Sequence, residues 1–265
     1  KRTALGRFKH ENAECVLSKT NKAVVYTGCD ERNEYLYKFV STGTYDAANK
    51  ASGANLLDSG TLYVANHDAV VSFPYQLGET TLAGAPKKLM DLPPGGNHWM
   101  RNIILSPDGE KLYVAVGSAS NIGEKGMELE QGRAAIWELN LKTGDPRQFA
   151  QGLRNANGLP WNPASGELWT TVNERDMLGP DLVPDYLTNV PVGAQYGWPW
   201  VYYRTNIDRR VDAPMPRFLM EYVRKPEFAL GPHVAALGLV FTAEGHRMGD
   251  AFASGAFIAR HGSWN

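Results

Sequence analysis

The chain has 265 residues and a formal charge of -1 at pH 7, so it carries no basic footprint for nucleic acid. It is long enough for one large core or two modest domains, and no apolar window is long enough to span a bilayer. Its glycine, proline, tyrosine and tryptophan content suits short strands and tight turns rather than long amphipathic helices, which predicts an all-β protein.

In chain order, the opening "KRTALG" lacks an initiator methionine and a signal peptide, which predicts processing or a boundary upstream and leaves secretion open. Cys15 and Cys29 are compatible with a disulfide, with two buried thiols, or with one thiol beside a metal. Three segments then share one design, a polar glycine turn feeding a short apolar and aromatic strand: "LLDSGTLYVAN" (56–66), "LSPDGEKLYVAV" (105–116) and "WNPASGELWTTV" (161–172). Weaker copies bracket them, "LSKTNKAVVYTG" (17–28) and "FTAEGHRMGDAFASG" (241–255). Second strands follow the early copies in "EYLYKFVS", "AVVSFPY" and "AAIWELN". Repeats of this kind at roughly 40–50 residues predict the blades of a β-propeller, with a β-sandwich as the alternative. Between the fourth and fifth copies, residues 173–218 are proline-rich and lack the repeat, which predicts a long functional loop insertion. Five units with the last cut short at "HGSWN" predict an incomplete ring that must close with residues from elsewhere or expose strand edges.

From about residue 60 onward, "LYVANHDAVVSFPY", "GGNHWMRNIILSPDGEKLYVAVGSASNI", "GRAAIWELN", "GLRNANGL", "VNERDMLGPDLVPDY", "YGWPW", "ALGPHVAALGLVF" and "GAFIARHGSWN" resemble the sorbosone dehydrogenase group of soluble quinoprotein sugar dehydrogenases. The resemblance implies a six-bladed propeller that binds pyrroloquinoline quinone (PQQ) and calcium in a central cavity, with a periplasmic or secreted setting. It implies a sugar substrate and an electron acceptor as partners, with no nucleic acid and no membrane span.

Under that resemblance His98 is the general base. Oxidising a sugar hydroxyl or an aldehyde hydrate removes a proton from oxygen and a hydride from carbon; an imidazole takes the first and the quinone takes the second. Arg154 would stabilise negative charge growing on a quinone oxygen, and Asn155 would orient the arginine or bind the cofactor. Glu174, Asp176 and Asp181 would approach calcium, which prefers oxygen ligands, with solvated loop acids as the rival reading. Trp198 and Trp200 would wall the sugar cleft or form the core of the insertion. His233 and His261 would face the channel as cofactor or substrate contacts, or serve as structural histidines. Ser118 stands where the related glucose dehydrogenases tend to have aspartate after the glycine. His98 would therefore lack that acid partner, and substrate preference would differ.

The first sixty residues differ. "LGRFKHENAECVL", "VVYTGCDERNEYLYKFVS" and "LLDSGTLYVA" resemble the calcium- and iron-dependent PhoX-type alkaline phosphatases, also propeller enzymes. Glu11 and Asp30 match acidic metal ligands there, since paired carboxylates can help hold a multimetal centre. Cys29 stands where that family more often shows a further aspartate. The resemblances meet near "GTLYVAN", so the chain reads as a chimera of a phosphatase-like blade segment (1–60) and dehydrogenase-like blades (61–265). Three functions follow: PQQ-dependent sugar oxidation, calcium- and iron-dependent phosphatase activity, or a catalytically inactive propeller remnant.

Overall fold

The computed structural model describes residues 10–17, 21–29, 36–46, 59–76, 82, 84–242 and 249–262. Strands dominate. β1 (His10–Leu17), β2 (Ala23–Cys29), β3 (Leu36–Ser41), β4 (Ser59–Ala65), β5 (Ala69–Gln76) and β6 (Lys87–Asp91) form one antiparallel meander in chain order. Its register sets Leu62 opposite Phe73 and Val64 opposite Val71. Period-2 alternation therefore gathers Val25, Leu62, Val64 and Tyr75 into one buried cluster, with Val71 and Phe73 packed against it.

A second sheet runs in the order β13-β10-β9-β8-β7, built from β7 (Arg101–Leu105), β8 (Lys111–Val116), β9 (Ala135–Asn140), β10 (Pro146–Gln151) and β13 (Ala194–Gln195). Leu112 to Val116 are all buried, as befits an interior strand covered on both faces. The turn before β8 holds itself: Gly109 N–H donates to Ser106 O at 2.8 Å, Glu110 N–H to Asp108 Oδ1 at 3.0 Å, and Gly109 takes φ +78°. A third, antiparallel sheet pairs β11 (Trp169–Val172), β12 (Pro184–Asn189) and β16 (Phe228–Pro232). Two ribbons complete the strands, β14 (Val201–Tyr202) with β15 (Asn206–Ile207), and β17 (Ala236–Phe241) with β18 (Ala256–Arg260).

The chain divides into two compact units. One comprises residues 1–94, 103–114 and 138–146; the other comprises 95–102, 115–137 and 147–265. The protein is all-β, with a strand topology within its sheets that resembles propeller blades, and none of these sheets closes into a barrel among the described residues. The expected turn-strand copies become β2, β4, β8 and β11, and the expected second strands become β3, β5 and β9. In the fifth copy, residues 243–248 lie outside the described residues. Among the described residues no helix is long and apolar enough to cross a membrane.

The stretch 173–218 contains more than loop. β12 to β15 lie within it, and β12 is the centre of the third sheet. Prolines at 184 and 191 punctuate this stretch as breakers. Yet Pro184 opens the strand, where a missing N–H costs little, and Tyr186 and Leu187 are buried.

Glu11 lies on β1 with its side chain outside the described residues, as is all of Asp30. For the cysteines the register is decisive. Cys15 pairs opposite Val25, whereas Cys29 pairs opposite His10. The two are four ladder positions apart, roughly 13 Å at ~3.4 Å per residue, beyond the ~7 Å Cα separation a disulfide tolerates. A non-reduced digest is therefore expected to yield both cysteines as separately alkylated thiols. A crosslinked Cys15–Cys29 peptide would contradict the β1–β2 register.

Candidate active site

His98 precedes β7 in a glycine-opened loop and is half-buried. Its Nδ1 faces two oxygens of Ser118, the carbonyl at 2.9 Å and Oγ at 3.0 Å. The Ser118 hydroxyl gives its own proton to Ser120 O at 2.6 Å, so both oxygens act as acceptors toward the ring. Nδ1 must then carry the proton, and Nε2 keeps its lone pair. Nε2 makes no hydrogen bond among the described residues. Gly117 makes this arrangement possible: a Cβ there would lie 2.5 Å from Asn155 Oδ1 and 2.6 Å from His98 Cβ. Both side chains converge on space that any other residue would fill.

Three guanidinium groups surround the ring. Arg101, 1% exposed, donates to His98 O at 2.8 Å. Arg133 donates to Gly95 O at 2.6 Å and to Gly117 O at 3.3 Å. Arg154 lies next to the Ser118 turn, its carbonyl accepting from Ser118 N–H at 2.8 Å. Burial, then the positive charge of Arg154, with smaller contributions from Arg101 and Arg133, push the His98 imidazole down to about 3, against the upward pull of the Ser118 carbonyl.

Arg154 is buried, and all five of its N–H groups are spent on protein. Nε donates to Asn121 O (3.1 Å), Nη1 to Asn173 O (3.3 Å) and Glu174 O (2.6 Å), and Nη2 to Asn121 Oδ1 (2.9 Å) and Asp176 Oδ2 (3.0 Å). Burial pulls its pKa below the ordinary arginine range, and Asp176 and Glu174 oppose that. The guanidinium can therefore act on a ligand through its charge, not through a direct hydrogen bond. Asn121 is the hub that sequence reasoning missed. Its Oδ1 also accepts from Asp176 N–H (2.9 Å), its Nδ2 donates to Asp176 O (3.1 Å), and its carbonyl takes the Trp198 indole N–H (2.9 Å). The only signal for it was an asparagine in the "GSASNI" turn after β8.

The 173–218 stretch is tied down by a second charge network. Arg175 is fully buried; its Nε donates to Glu174 Oε2 at 3.0 Å, and its terminal nitrogens reach Pro199 O and Val201 O. Asp208, its side chain fully buried, lies 3.6 Å from Arg175 Nη1 and takes a two-pronged bond from Arg210 at 2.9 and 2.7 Å. Asp185 pins two loops at once, accepting from Glu174 N–H and Ala235 N–H, both at 2.8 Å. Burial raises its carboxyl above the ordinary range. His233 and Ala235 hold left-handed φ values of +52° and +46°, which non-glycine residues adopt only where the surroundings compel them.

The structure thus brings together His98, Arg154, Asn155, Asp176 and His233, whose Nδ1 lies 3.3 Å from Asp176 Oδ1 and whose Nε2 faces Gly179 O at 3.2 Å. The other candidates go elsewhere. The Glu174 carboxylate turns to Arg175, and Asp181 and His261 are exposed. Trp198 is buried, and Trp200 bonds Ala213 O at 2.8 Å while packing against Val201, Leu219 and Val223. Both indoles serve as packing for the insertion, not as an open wall for sugar. Among the described residues no three His, Cys, Asp or Glu side chains could hold one metal ion. Glu174 and Asp176 are already committed to Arg175 and to Arg154, so this donor set does not fit a calcium cradle. Three cations and an unencumbered imidazole nitrogen share one locality, whose charge suits an anionic ligand.

The chain belongs to the Glucose / Sorbosone dehydrogenase family, whose profile matches residues 63–259. A further match, to Alkaline phosphatase PhoX, covers residues 1–101. The chain's backbone is similar to that of the Trichoderma reesei enzyme of Carbohydrate-Active Enzymes Family AA12, at 17% identity over 97% of this chain and 76% of that one, TM-score 0.66. It is similar to the PQQ domain of pyranose dehydrogenase from Coprinopsis cinerea, at 18% identity, 99% and 73% coverage and TM-score 0.62. The soluble aldose sugar dehydrogenase of Escherichia coli matches at 13% identity, 94% and 83% coverage and TM-score 0.55. A Borreliella burgdorferi protein described only as uncharacterized is 30% identical over 171 residues, and the chain spans 43% of its length.

Two outcomes test the site's electrostatics. Asp208→Asn should cost about 3 kcal/mol in chemical denaturation, because the buried Arg175 and the half-buried Arg210 lose a partner charge; an unchanged midpoint would remove Asp208 from the network. His98 is held far below the ordinary 6.5, so between about pH 6.5 and 3 the unfolded chain binds a proton that the folded chain does not. Stability should therefore fall as pH falls across that window, and His98→Gln should flatten the slope. Parallel stability-pH profiles for the two proteins would count against the depressed imidazole.

Proposed function

We propose that the chain oxidises a sugar or sugar aldehyde of the sorbosone or aldose type by hydride transfer to PQQ, with His98 as the general base. The observation that carries this reading is the Nδ1-protonated His98, whose Nε2 lone pair is uncommitted amid three guanidinium groups. Family membership and the dehydrogenase-type fold support it. A periplasmic or secreted setting and an external electron acceptor belong to the same proposal, on the family resemblance alone.

When bound, the quinone supplies an electrophilic carbon that accepts hydride. The Nε2 of His98 takes the proton of the substrate hydroxyl, which requires an approach of roughly 2.6–3.2 Å. Arg101, Arg133 and Arg154 attract the anionic cofactor to this locality, and Asn155, beside Gly117, offers an amide to orient it. Burial does most to depress His98, and arriving negative charge offsets only the smaller part that the cations contribute. Its proton is held at Nε2 until released to water or acceptor. No step is assigned to calcium. The phosphatase reading rests on the PhoX match over residues 1–101 alone, since the Glu11 side chain and Asp30 lie outside the described residues.

The test is dye-linked oxidation of aldoses and sorbosone with PQQ supplied. Turnover is expected, falling by about 10²–10⁴-fold in His98→Gln with the fold retained. If no aldose or sorbosone is turned over, the enzyme reading is wrong. If calorimetry also shows no saturable PQQ binding, the inactive-remnant reading replaces it.

A further inference from the structure

We propose that Glu130 is a positioning residue for His98, acting on it through a single peptide group in place of the acid that Ser118 does not provide. The proposal rests on the reading of His98 as the base. Its starting point is that one peptide unit is engaged at both ends. The Ser118 carbonyl faces His98 Nδ1 at 2.9 Å, and the N–H of the same unit, that of Ala119, donates to Glu130 Oε2 at 2.8 Å. Carboxylate, amide and imidazole thus form one hydrogen-bond chain.

The physics of such a chain is polarisation. A negative charge on an amide N–H pushes electron density toward the amide oxygen, which becomes a stronger acceptor. The hydrogen bond from Nδ1–H to the Ser118 carbonyl strengthens and Nε2 becomes more basic, as when a carboxylate bonds a histidine directly. No proton crosses the peptide. The second carboxylate oxygen reinforces the geometry: Glu130 Oε1 accepts from Ser120 Oγ at 2.5 Å, while Ser120 O accepts the Ser118 hydroxyl that completes the fork at Nδ1. Arg133, three residues on, holds the carbonyls of Gly117 and Gly95, so the turn is gripped from both sides.

Glu130 is buried at 6% exposure, on a 3-10 turn of residues Met127–Glu130. Burial raises its carboxyl above the ordinary range, against the opposing pulls of Ser120, Ala119 and Arg133. Among the described residues, Arg154, Arg101 and Arg133 act on His98, Arg133 acts on Glu130, and Glu124 shares Ser120 with it. A plain loop anchor would need the two hydrogen bonds of Glu130 but not its charge, and that difference can be measured.

The experiment is NMR on the cofactor-free protein, so it does not depend on turnover. In the wild type, lowering the pH should move the Ala119 amide proton and the His98 Nδ1 proton upfield together, with the midpoint of the Glu130 carboxyl carbon. Glu130→Gln keeps the shape and removes the charge, so both protons should already lie upfield at neutral pH. With PQQ and an aldose supplied, its kcat should fall about tenfold while KM stays within about twofold. A His98 Nδ1 proton that ignores the Glu130 titration overturns the proposal, whether or not sugars are oxidised. Absent sugar oxidation with the coupled titration intact overturns the functional reading alone. If Glu130→Gln does not fold, the wild-type titration decides.

Discussion

Burying the Arg154 guanidinium is the constraint on which the candidate site depends. A cation removed from water costs several kcal/mol unless its protons are all matched. Arg154 has five, directed by a rigid planar fork, and the chain meets each one with a separate oxygen. Two of those oxygens belong to Asn121 and three to residues 173, 174 and 176, so loops distant in sequence must adopt one arrangement for the charge to be tolerated. The Arg154 carbonyl then holds Ser118 N–H, and Ser118 sets the tautomer of His98. The imidazole is therefore placed by a chain of obligations that begins at a buried charge.

The same logic ties down the proline-rich stretch, alongside buried apolar side chains such as Tyr186, Tyr196, Trp198 and Val201. Arg175, Asp208, Arg210 and Glu174 satisfy one another, and Arg210 Nη1 donates to Asp176 O at 2.9 Å. The two charge networks thus share residue 176. Replacing such an array by hydrophobic side chains could stabilise the fold. What the charges contribute here is placement, since a guanidinium fork tolerates few geometries.

The strands were legible because a turn residue followed by alternating apolar positions leaves a local mark, as at "SPDGEKLYVAV". His98, Arg154 and Asn155 were legible through family motifs, and the structure does bring them together. The acids misled for a physical reason. Carboxylates crowded in a short loop look like metal ligands, but Glu174 and Asp176 are consumed by arginines whose positions no local pattern reveals. Asn121 left no mark either, because its role depends on partners 33 to 77 residues away in sequence. β12 was hidden by Pro184 at its start and Pro191 just beyond its end. The join was easier to read: the two family profiles overlap at 63–101, across β4 to β6. A meander strand needs only alternation and register, met here by Leu62 against Phe73 and Val64 against Val71, so either family could supply it.

The depressed imidazole and the proposed cofactor are two sides of one free energy. Burial does most to disfavour a proton on His98, and the three nearby cations add to it; the field of those cations favours an anion in its place. A bound anion must then raise the proton affinity of the ring, and by linkage a protonated ring must bind the anion more tightly by the same factor. A base that is weak in the free protein is therefore compatible with catalysis, because its strength is set when the site is charged. The absence of an aspartate at position 118 fits this scheme. A direct carboxylate on Nδ1 would cancel part of the field that recruits the anion, whereas a carboxylate one peptide away polarises the ring and leaves the three cations facing the site.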